Sequence, residues 1–102
     1  MNISEETKLY DAIEECIIEY WCEQENADED QIANYCQKYF NIILPENLTV
    51  AYYDDTFFWE DGDKAADIYI DDELFGGVTF NTEQEEVMSY KEYCYITRDI
   101  NR

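Results

Sequence analysis

The chain has 102 residues, of which 46% are hydrophobic, and its 26 acidic and 6 basic residues give a formal net charge of −20. This length fits one domain, residues 1–102, and the 17% aromatic content argues against a disordered acidic chain. Direct binding to DNA or RNA is disfavoured because the phosphates would be repelled. Histidine is absent, so catalysis by a Ser-His or Cys-His pair is excluded.

The first segment has the pattern of an amphipathic helix that begins at Asn2 or Ser4 and runs to about Gln24. Large apolar residues repeat at helical spacing along one side. The opposite side is almost purely anionic, and it carries Asp11, Glu14, Glu15, Glu19 and Glu23. Burial of the apolar side is expected to outweigh the repulsion between neighbouring carboxylates, which costs a few tenths of a kcal/mol per pair.

A second helix is predicted to follow the polar stretch ENADEDQ. Asp28 and Gln31 have the spacing of a capping box, and Asn41 is a candidate left-handed C-cap. An apolar stripe at helical spacing comprises Ile32, Tyr35, Cys36, Tyr39 and Phe40. The chain therefore opens with a helical pair.

After Pro45 the residue types favour strands: LTVAYY (48–53), TFFWE (56–60), ADIYID (66–71) and VTF (78–80). Asp61-Gly62 predicts a turn and Gly76-Gly77 a turn or bulge. Alternation places Ile68 and Ile70 on a buried face and Asp67, Tyr69 and Asp71 on a solvent-facing one.

The sequence thus predicts an α+β fold, with an N-terminal helical pair followed by an antiparallel sheet of three or four strands. Residues 83–92 favour a short C-terminal helix capped by Thr82 and Glu85, whereas YCYIT (93–97) has the composition of a last strand.

Four cysteines, Cys16, Cys22, Cys36 and Cys94, show no C-x-x-C spacing and are expected to be reduced, mostly buried thiols, with a disulfide pair as the alternative. No cofactor or metal is predicted. Asp61 and Asp63 fall in a DGD sequence, but Phe57 and Trp59 occupy places where a calcium loop needs oxygen ligands. The N-terminus lacks the pattern of a signal peptide and no apolar run is long enough to span a membrane, so a cytoplasmic protein is expected. The absence of histidine and of a glycine-rich phosphate loop leads us to expect a non-enzymatic protein.

The charge exceeds the magnitude of about 2 to 8 that keeps a small domain soluble, and such an excess opposes compaction. Spread evenly over the surface, the acids would lie roughly 15 Å apart. Neighbours at i,i+4 on a helix lie about 5 to 6 Å apart and alternate strand residues about 6.5 to 7 Å apart. Rows of this kind are predicted to bind a basic partner through Glu15, Glu19, Asp61, Asp63, Asp67, Asp71, Asp72 and Glu73. Adaptation to high salt is another explanation for the charge.

The stretch EDGDKAADIYIDDE (60–73) is half acidic. In size, charge, lack of catalytic residues and stretches of this type, the chain resembles the small acidic anti-defence proteins of phages, which include anti-CRISPR and anti-restriction DNA mimics. The resemblance is of a class and involves no alignable motif. It implies a non-catalytic inhibitor that occupies the DNA-binding groove of a CRISPR effector or restriction nuclease in a bacterial host.

The alternative is an immunity protein that neutralises a basic nuclease toxin. Such a protein can use one acidic patch around an aromatic anchor, for which the candidates are Tyr52, Tyr53, Phe57, Phe58 and Trp59. Self-association through an exposed strand edge is left open.

Overall fold

The computed structural model describes residues 3–53 and 63–82, with Asp63 described by its backbone alone. Two helices, α1 (Ile3–Cys22) and α2 (Glu29–Phe40), precede three strands, β1 (Leu48–Tyr52), β2 (Asp63–Ile70) and β3 (Glu73–Asn81). The strands form an antiparallel sheet in the order β1-β2-β3. The predicted α+β fold, a helical pair followed by an antiparallel sheet, is confirmed.

Three local predictions lie outside the described residues. These are the strand at 56–60, the turn at Asp61-Gly62, and the choice between a helix at 83–92 and a strand at 93–97.

Helix α1 forms where the helical apolar stripe predicts it. Ile13, Cys16 and Ile17 are fully buried, and Trp21 is nearly so. The helix ends two residues before the predicted Gln24, which adopts a positive φ of 64°. The Trp21 indole donates a hydrogen bond to Oδ1 of Asn26 at 3.0 Å, which fixes the chain as it leaves the helix.

Helix α2 has the caps that its sequence predicts. The Gln31 amide donates to Oδ1 of Asp28 at 2.8 Å, and the Asp28 amide donates to Oε1 of Gln31 at 2.9 Å. Asn41 adopts the left-handed conformation, with φ of 54°, and ends the helix. The apolar stripe is buried only in part: Ile32 and Cys36 are buried, but Tyr39 and Phe40 are exposed.

The core lies between the helices and one face of the sheet. The strand register pairs Leu48 with Ile70, Val50 with Ile68 and Tyr52 with Ala66, and all of these side chains pack in or against the core. Burial of these apolar side chains is the main stabilising term, about 1.5 to 3 kcal/mol for each large one. Cys16 and Cys36 lie in this core as free thiols, whereas Cys22 is exposed.

The opposite face of the sheet is also covered along β2 and β3. Ala65, Asp67, Thr79 and Asn81 are all buried there. Alternation correctly separates Asp67 from Ile68, but the prediction that Asp67 faces solvent is wrong because this face is not open to water. The expectation fails since alternation reports which face a residue takes and not whether that face is covered.

The turn between β2 and β3 falls at Asp71-Asp72. Both residues have positive φ, 53° and 63°, as a two-residue type I′ hairpin turn requires. Gly76-Gly77 instead lies inside β3, beside a register shift between the Ile68–Gly76 and Tyr69–Leu74 pairs. A turn at the glycine pair is therefore wrong, and a bulge next to it fits the shifted register.

Candidate partner-binding surface

Most of the described acidic side chains point into solvent. Apart from Glu14, which is half-buried, and Asp67, which is buried, every carboxylate whose side chain the structure describes is exposed. The cationic side chains in the same part of the chain are Lys8, Lys38 and Lys64. The surface of this part of the chain is therefore strongly anionic.

The α1 carboxylate row consists of Asp11, Glu15 and Glu19, which recur at i,i+4 on the helix and are all exposed. Their Cβ atoms are expected about 5 to 6 Å apart by helical geometry. The side of α1 that carries Ile13 and Ile17 is buried in the core. This packing fixes the direction in which the carboxylate row faces. Glu23 lies just past the helix end and is exposed as well.

The hairpin acids, Asp71, Asp72 and Glu73, form a second group. All three are exposed, at the tight turn and the first residue of β3. Nδ2 of Asn47 donates a hydrogen bond to Oδ1 of Asp71 at 2.6 Å, which ties the turn to the residue before β1. The positive φ values and this hydrogen bond hold the carboxylates on a defined backbone.

The remaining predicted contact residues are Asp61, Asp63 and Asp67. Asp67 is 9% exposed and accepts a hydrogen bond from the Tyr53 hydroxyl at 3.0 Å. Its carboxylate is therefore buried on the second face of the sheet. The side chains of Asp61 and Asp63 lie outside the described part of the structure, although the backbone of Asp63 begins β2 opposite Asn81.

The α2 aromatic cluster, formed by Tyr35, Tyr39 and Phe40 of the predicted apolar stripe, reaches the surface. Tyr39 is 60% exposed and Phe40 37% exposed. The Tyr35 ring lies 4.6 Å from that of Tyr39 and 6.2 Å from that of Phe40, between centroids. Helical spacing finds the stripe, but it does not show which of its residues other parts of the chain cover.

This cluster adjoins the α1 carboxylate row. The Tyr35 hydroxyl oxygen lies 3.5 Å from Oε1 of Glu15, the residue 20 positions earlier in the chain. Burial, followed by the negative charges of Glu15 and Glu19, raises the pKa of Tyr35 to about 12. Aromatic rings and carboxylates therefore share one surface between the two helices.

Tyr52, one of the predicted aromatic anchors, is partly buried and packs against the core. Its hydroxyl donates to the Ala27 carbonyl at 2.5 Å, and its ring meets Trp21 edge-on at 6.1 Å between centroids. Tyr53 is engaged with Asp67. Tyr52 and Tyr53 thus serve the fold, while Phe57, Phe58 and Trp59 lie outside the described residues.

Residues 3–53 and 63–82 contain no group of three or more Cys, Asp or Glu residues arranged to hold a metal ion. Within the same ranges, no helix combines the length and apolar character needed to cross a membrane. No protein-family model, curated protein or solved structure significantly matches the chain.

Proposed function

We propose that the protein is a non-catalytic inhibitor that binds the basic nucleic-acid-binding groove of a bacterial defence nuclease as a DNA mimic. The observation that carries the proposal is the grouping of exposed carboxylates. Asp11, Glu15 and Glu19 follow one helix, while Asp71 and Asp72 form the hairpin turn and Glu73 begins β3. Both groups are far denser than an even spread of the acids, roughly 15 Å apart, would be.

The grouping also sets a requirement on binding. A single helical row offers one carboxylate per turn or so, about every 6 Å of axis, whereas duplex DNA carries one negative charge per roughly 1.7 Å. One row is therefore too sparse to replace a duplex. Several groups must act together, and each carboxylate is expected to contribute little by itself.

An interaction of this kind should be steered and salt-sensitive. A surface of one sign attracts a groove of the other over roughly a Debye length, about 8 Å at physiological ionic strength. Association with the partner is therefore expected to slow as salt is raised, while a partner bound mainly by apolar contacts would respond weakly.

The test starts from the immobilised protein and a lysate of a bacterium that carries CRISPR and restriction systems. Retained proteins are challenged with increasing duplex DNA at constant ionic strength, and a retained nuclease is then assayed for DNA cleavage with the protein present. Competitive inhibition that excess DNA overcomes supports mimicry. A nuclease that stays bound at saturating DNA contradicts it.

Variants sharpen the test. Replacing Asp11, Glu15 and Glu19 together by Asn, Gln and Gln should weaken inhibition strongly, and so should replacing Asp71, Asp72 and Glu73 by Asn, Asn and Gln. Each single replacement should change inhibition by less than about fivefold, in line with the modest energies of exposed ion pairs. Strong loss from one single replacement would contradict a distributed anionic surface.

A second candidate, an immunity protein for a basic nuclease toxin, is favoured by one observation. The exposed rings of Tyr39 and Phe40 pack against Tyr35, whose hydroxyl oxygen lies 3.5 Å from Oε1 of Glu15. This arrangement has the form of an aromatic anchor with a charged rim. In the retention experiment this function predicts capture of a toxin, with loss on truncation of Tyr39 exceeding loss from any pair of carboxylates.

A further inference from the structure

We propose that the α2 aromatic cluster, together with Glu15 and Glu19, is a receptor for an arginine side chain projecting from a basic protein partner. The inference deepens the proposed function, since it rests on the partner being basic, and it names where one residue of that partner docks. It is carried by the exposure of Tyr39 and Phe40, the contact of the Tyr35 hydroxyl with Glu15, and the position of Lys38 over the Tyr39 ring.

The exposed rings have the features of a surface that binds a partner. Tyr39 and Phe40 leave 60% and 37% of their surfaces in water although Tyr35 packs against both. Large aromatic side chains exposed together at the end of a helix are typical of interaction surfaces, where they supply contact area with little loss of side-chain freedom.

The neighbouring carboxylates determine the sign of the charge that the partner must carry. Glu15 lies 3.5 Å from the Tyr35 hydroxyl, and both Glu15 and Glu19 are exposed. An apolar partner would have to desolvate these carboxylates without pairing them, which is costly. A second copy of the chain would bring another −20 of formal charge to the same place. A cationic partner satisfies both the rings and the carboxylates.

Lys38 shows that the ring face accepts a cation. Its ammonium nitrogen lies 5.1 Å from the centroid of Tyr39, within the distance of a cation–π contact. This lysine is exposed, so an incoming cation can replace it. Lys38 is therefore an internal competitor for the position that the partner would take.

Arginine fits the surface better than lysine. The guanidinium is planar and stacks on aromatic rings, and its fork of N–H groups pairs with carboxylates through two parallel hydrogen bonds. Lysine offers a compact, strongly hydrated charge that stacks poorly. The surface should therefore distinguish two peptides that carry the same charge.

The experiment measures binding of a nine-residue polyarginine peptide and of a nine-residue polylysine peptide to the full chain at about 150 mM salt, an ionic strength that screens distant charges. The wild-type protein is expected to bind polyarginine roughly two- to fivefold more tightly, the range expected for one exposed cation–π contact. Tyr39→Leu should abolish the preference and Tyr39→Phe should retain it. Circular dichroism verifies that both variants fold.

Matched variants separate the receptor from general charge attraction. Glu15→Gln with Glu19→Gln should remove the preference for arginine, whereas Asp72→Asn with Glu73→Gln should weaken both peptides equally. Lys38→Gln should strengthen polyarginine binding more than Lys8→Gln, which makes the same change in net charge on another exposed residue. The proposal would be overturned if the two double variants had the same effect on the preference for arginine and if the two lysine variants had the same effect on polyarginine binding.

The outcomes also distinguish this inference from the proposed function. Equal binding of the two peptides, with a captured nuclease still displaced by duplex DNA, rejects the receptor and keeps the mimic. A clear arginine preference with a partner that DNA cannot displace keeps the receptor and rejects the mimic. Dimerisation in sedimentation experiments that Tyr39→Leu abolishes would show that a second copy covers the rings, and would overturn the proposal.

Discussion

The hydroxyl of Tyr53, the residue that follows β1, donates a hydrogen bond to Oδ2 of Asp67 in β2 at 3.0 Å. The contact fixes a carboxylate that is only 9% exposed in a protein whose other described acids are mostly in water. Asp67 therefore differs in role from the acids around it in the sequence.

We expect Tyr53→Phe to lower the free energy of unfolding by about 1.5 to 3 kcal/mol, because a hydrogen bond to a charged group is lost from a buried site. Asp67→Asn should also destabilise, and the double variant should show less loss than the sum of the two. Urea denaturation of the four proteins measures this coupling. Asp72→Asn, an exposed change of the same type, is the control and should be nearly neutral. Full stability of Asp67→Asn combined with weaker partner binding would restore Asp67 as a contact residue.

The hairpin turn predicts a stabilising change. Asp72 has a φ of 63°, a conformation that costs a side chain with Cβ roughly 1 kcal/mol or more and costs glycine almost nothing. Asp72→Gly should therefore raise the free energy of unfolding by up to about 1 kcal/mol, with part of the gain offset by the flexibility of glycine in the unfolded chain. Asp72→Ala removes the same carboxylate, but alanine tolerates the left-handed conformation less well than aspartate, so this variant should be less stable. Thermal melts of both variants compare them, and equal shifts would mean that charge and not backbone conformation controls the turn.

Gly76 is closely covered by Tyr10. A Cβ atom at Gly76 would lie 2.9 Å from Cε2 and 3.0 Å from Cδ2 of the Tyr10 ring. The ring has little room to move, since the Tyr10 hydroxyl contacts the Gly77 carbonyl and lies 2.9 Å from Oε2 of Glu14. The single hydroxyl hydrogen can be donated to only one of these two oxygens at a time.

Gly76→Ala should therefore destabilise the protein by about 1 to 3 kcal/mol through overpacking. The same substitution in a Tyr10→Ala background should cost much less, because the ring that it meets is gone. Chemical denaturation of the two single variants and the double variant tests this. Additive losses would show that Gly76 is required for another reason, such as the neighbouring register shift.

Stability should fall at alkaline pH. Burial raises the pKa of Cys36 to about 11, and burial followed by the proximity of Cys36 and Glu19 raises that of Cys16 to about 12, from an ordinary 9.0. The unfolded chain therefore releases these protons before the folded chain does. The stabilisation is fully present below pH 9 and is lost as pH rises toward 11 to 12.

Urea midpoints measured from pH 7 to pH 11 would show this decline. Burial also raises the pKa of the Tyr52 hydroxyl, which adds to it at the upper end of the range. Cys16→Ala should be less stable than wild type at pH 7 but should lose stability less steeply above pH 9. A slope that is unchanged by this variant would assign the alkaline loss to other groups.

Local signals predicted much of the fold because they act over a few residues. The Asp28–Gln31 capping box, the left-handed cap at Asn41 and the apolar stripe of α1 are each written within one or two helical turns. The strands β1 and β2 likewise follow from residue type and alternation.

The misses share a different cause. The burial of Asp67 and the exposure of Tyr39 depend on which elements cover which, and sequence spacing gives direction without giving cover. The hairpin turn was missed because glycine pairs are the stronger signal for positive φ, and here two aspartates adopt it. Sequence spacing thus predicted the exposed carboxylates of α1 and of the hairpin turn but not the exposure of Tyr39 and Phe40. A binding role for any of these residues, and for Asp61 and Asp63, stays a prediction.

At the hairpin turn, the charge of a residue can change without a change in backbone conformation. Asparagine tolerates the same left-handed conformation, and at position 71 it would keep the oxygen that Asn47 reaches. Aspartate and asparagine codons differ by one nucleotide. Single mutations can thus add or remove anionic groups at this corner while the turn keeps its backbone conformation.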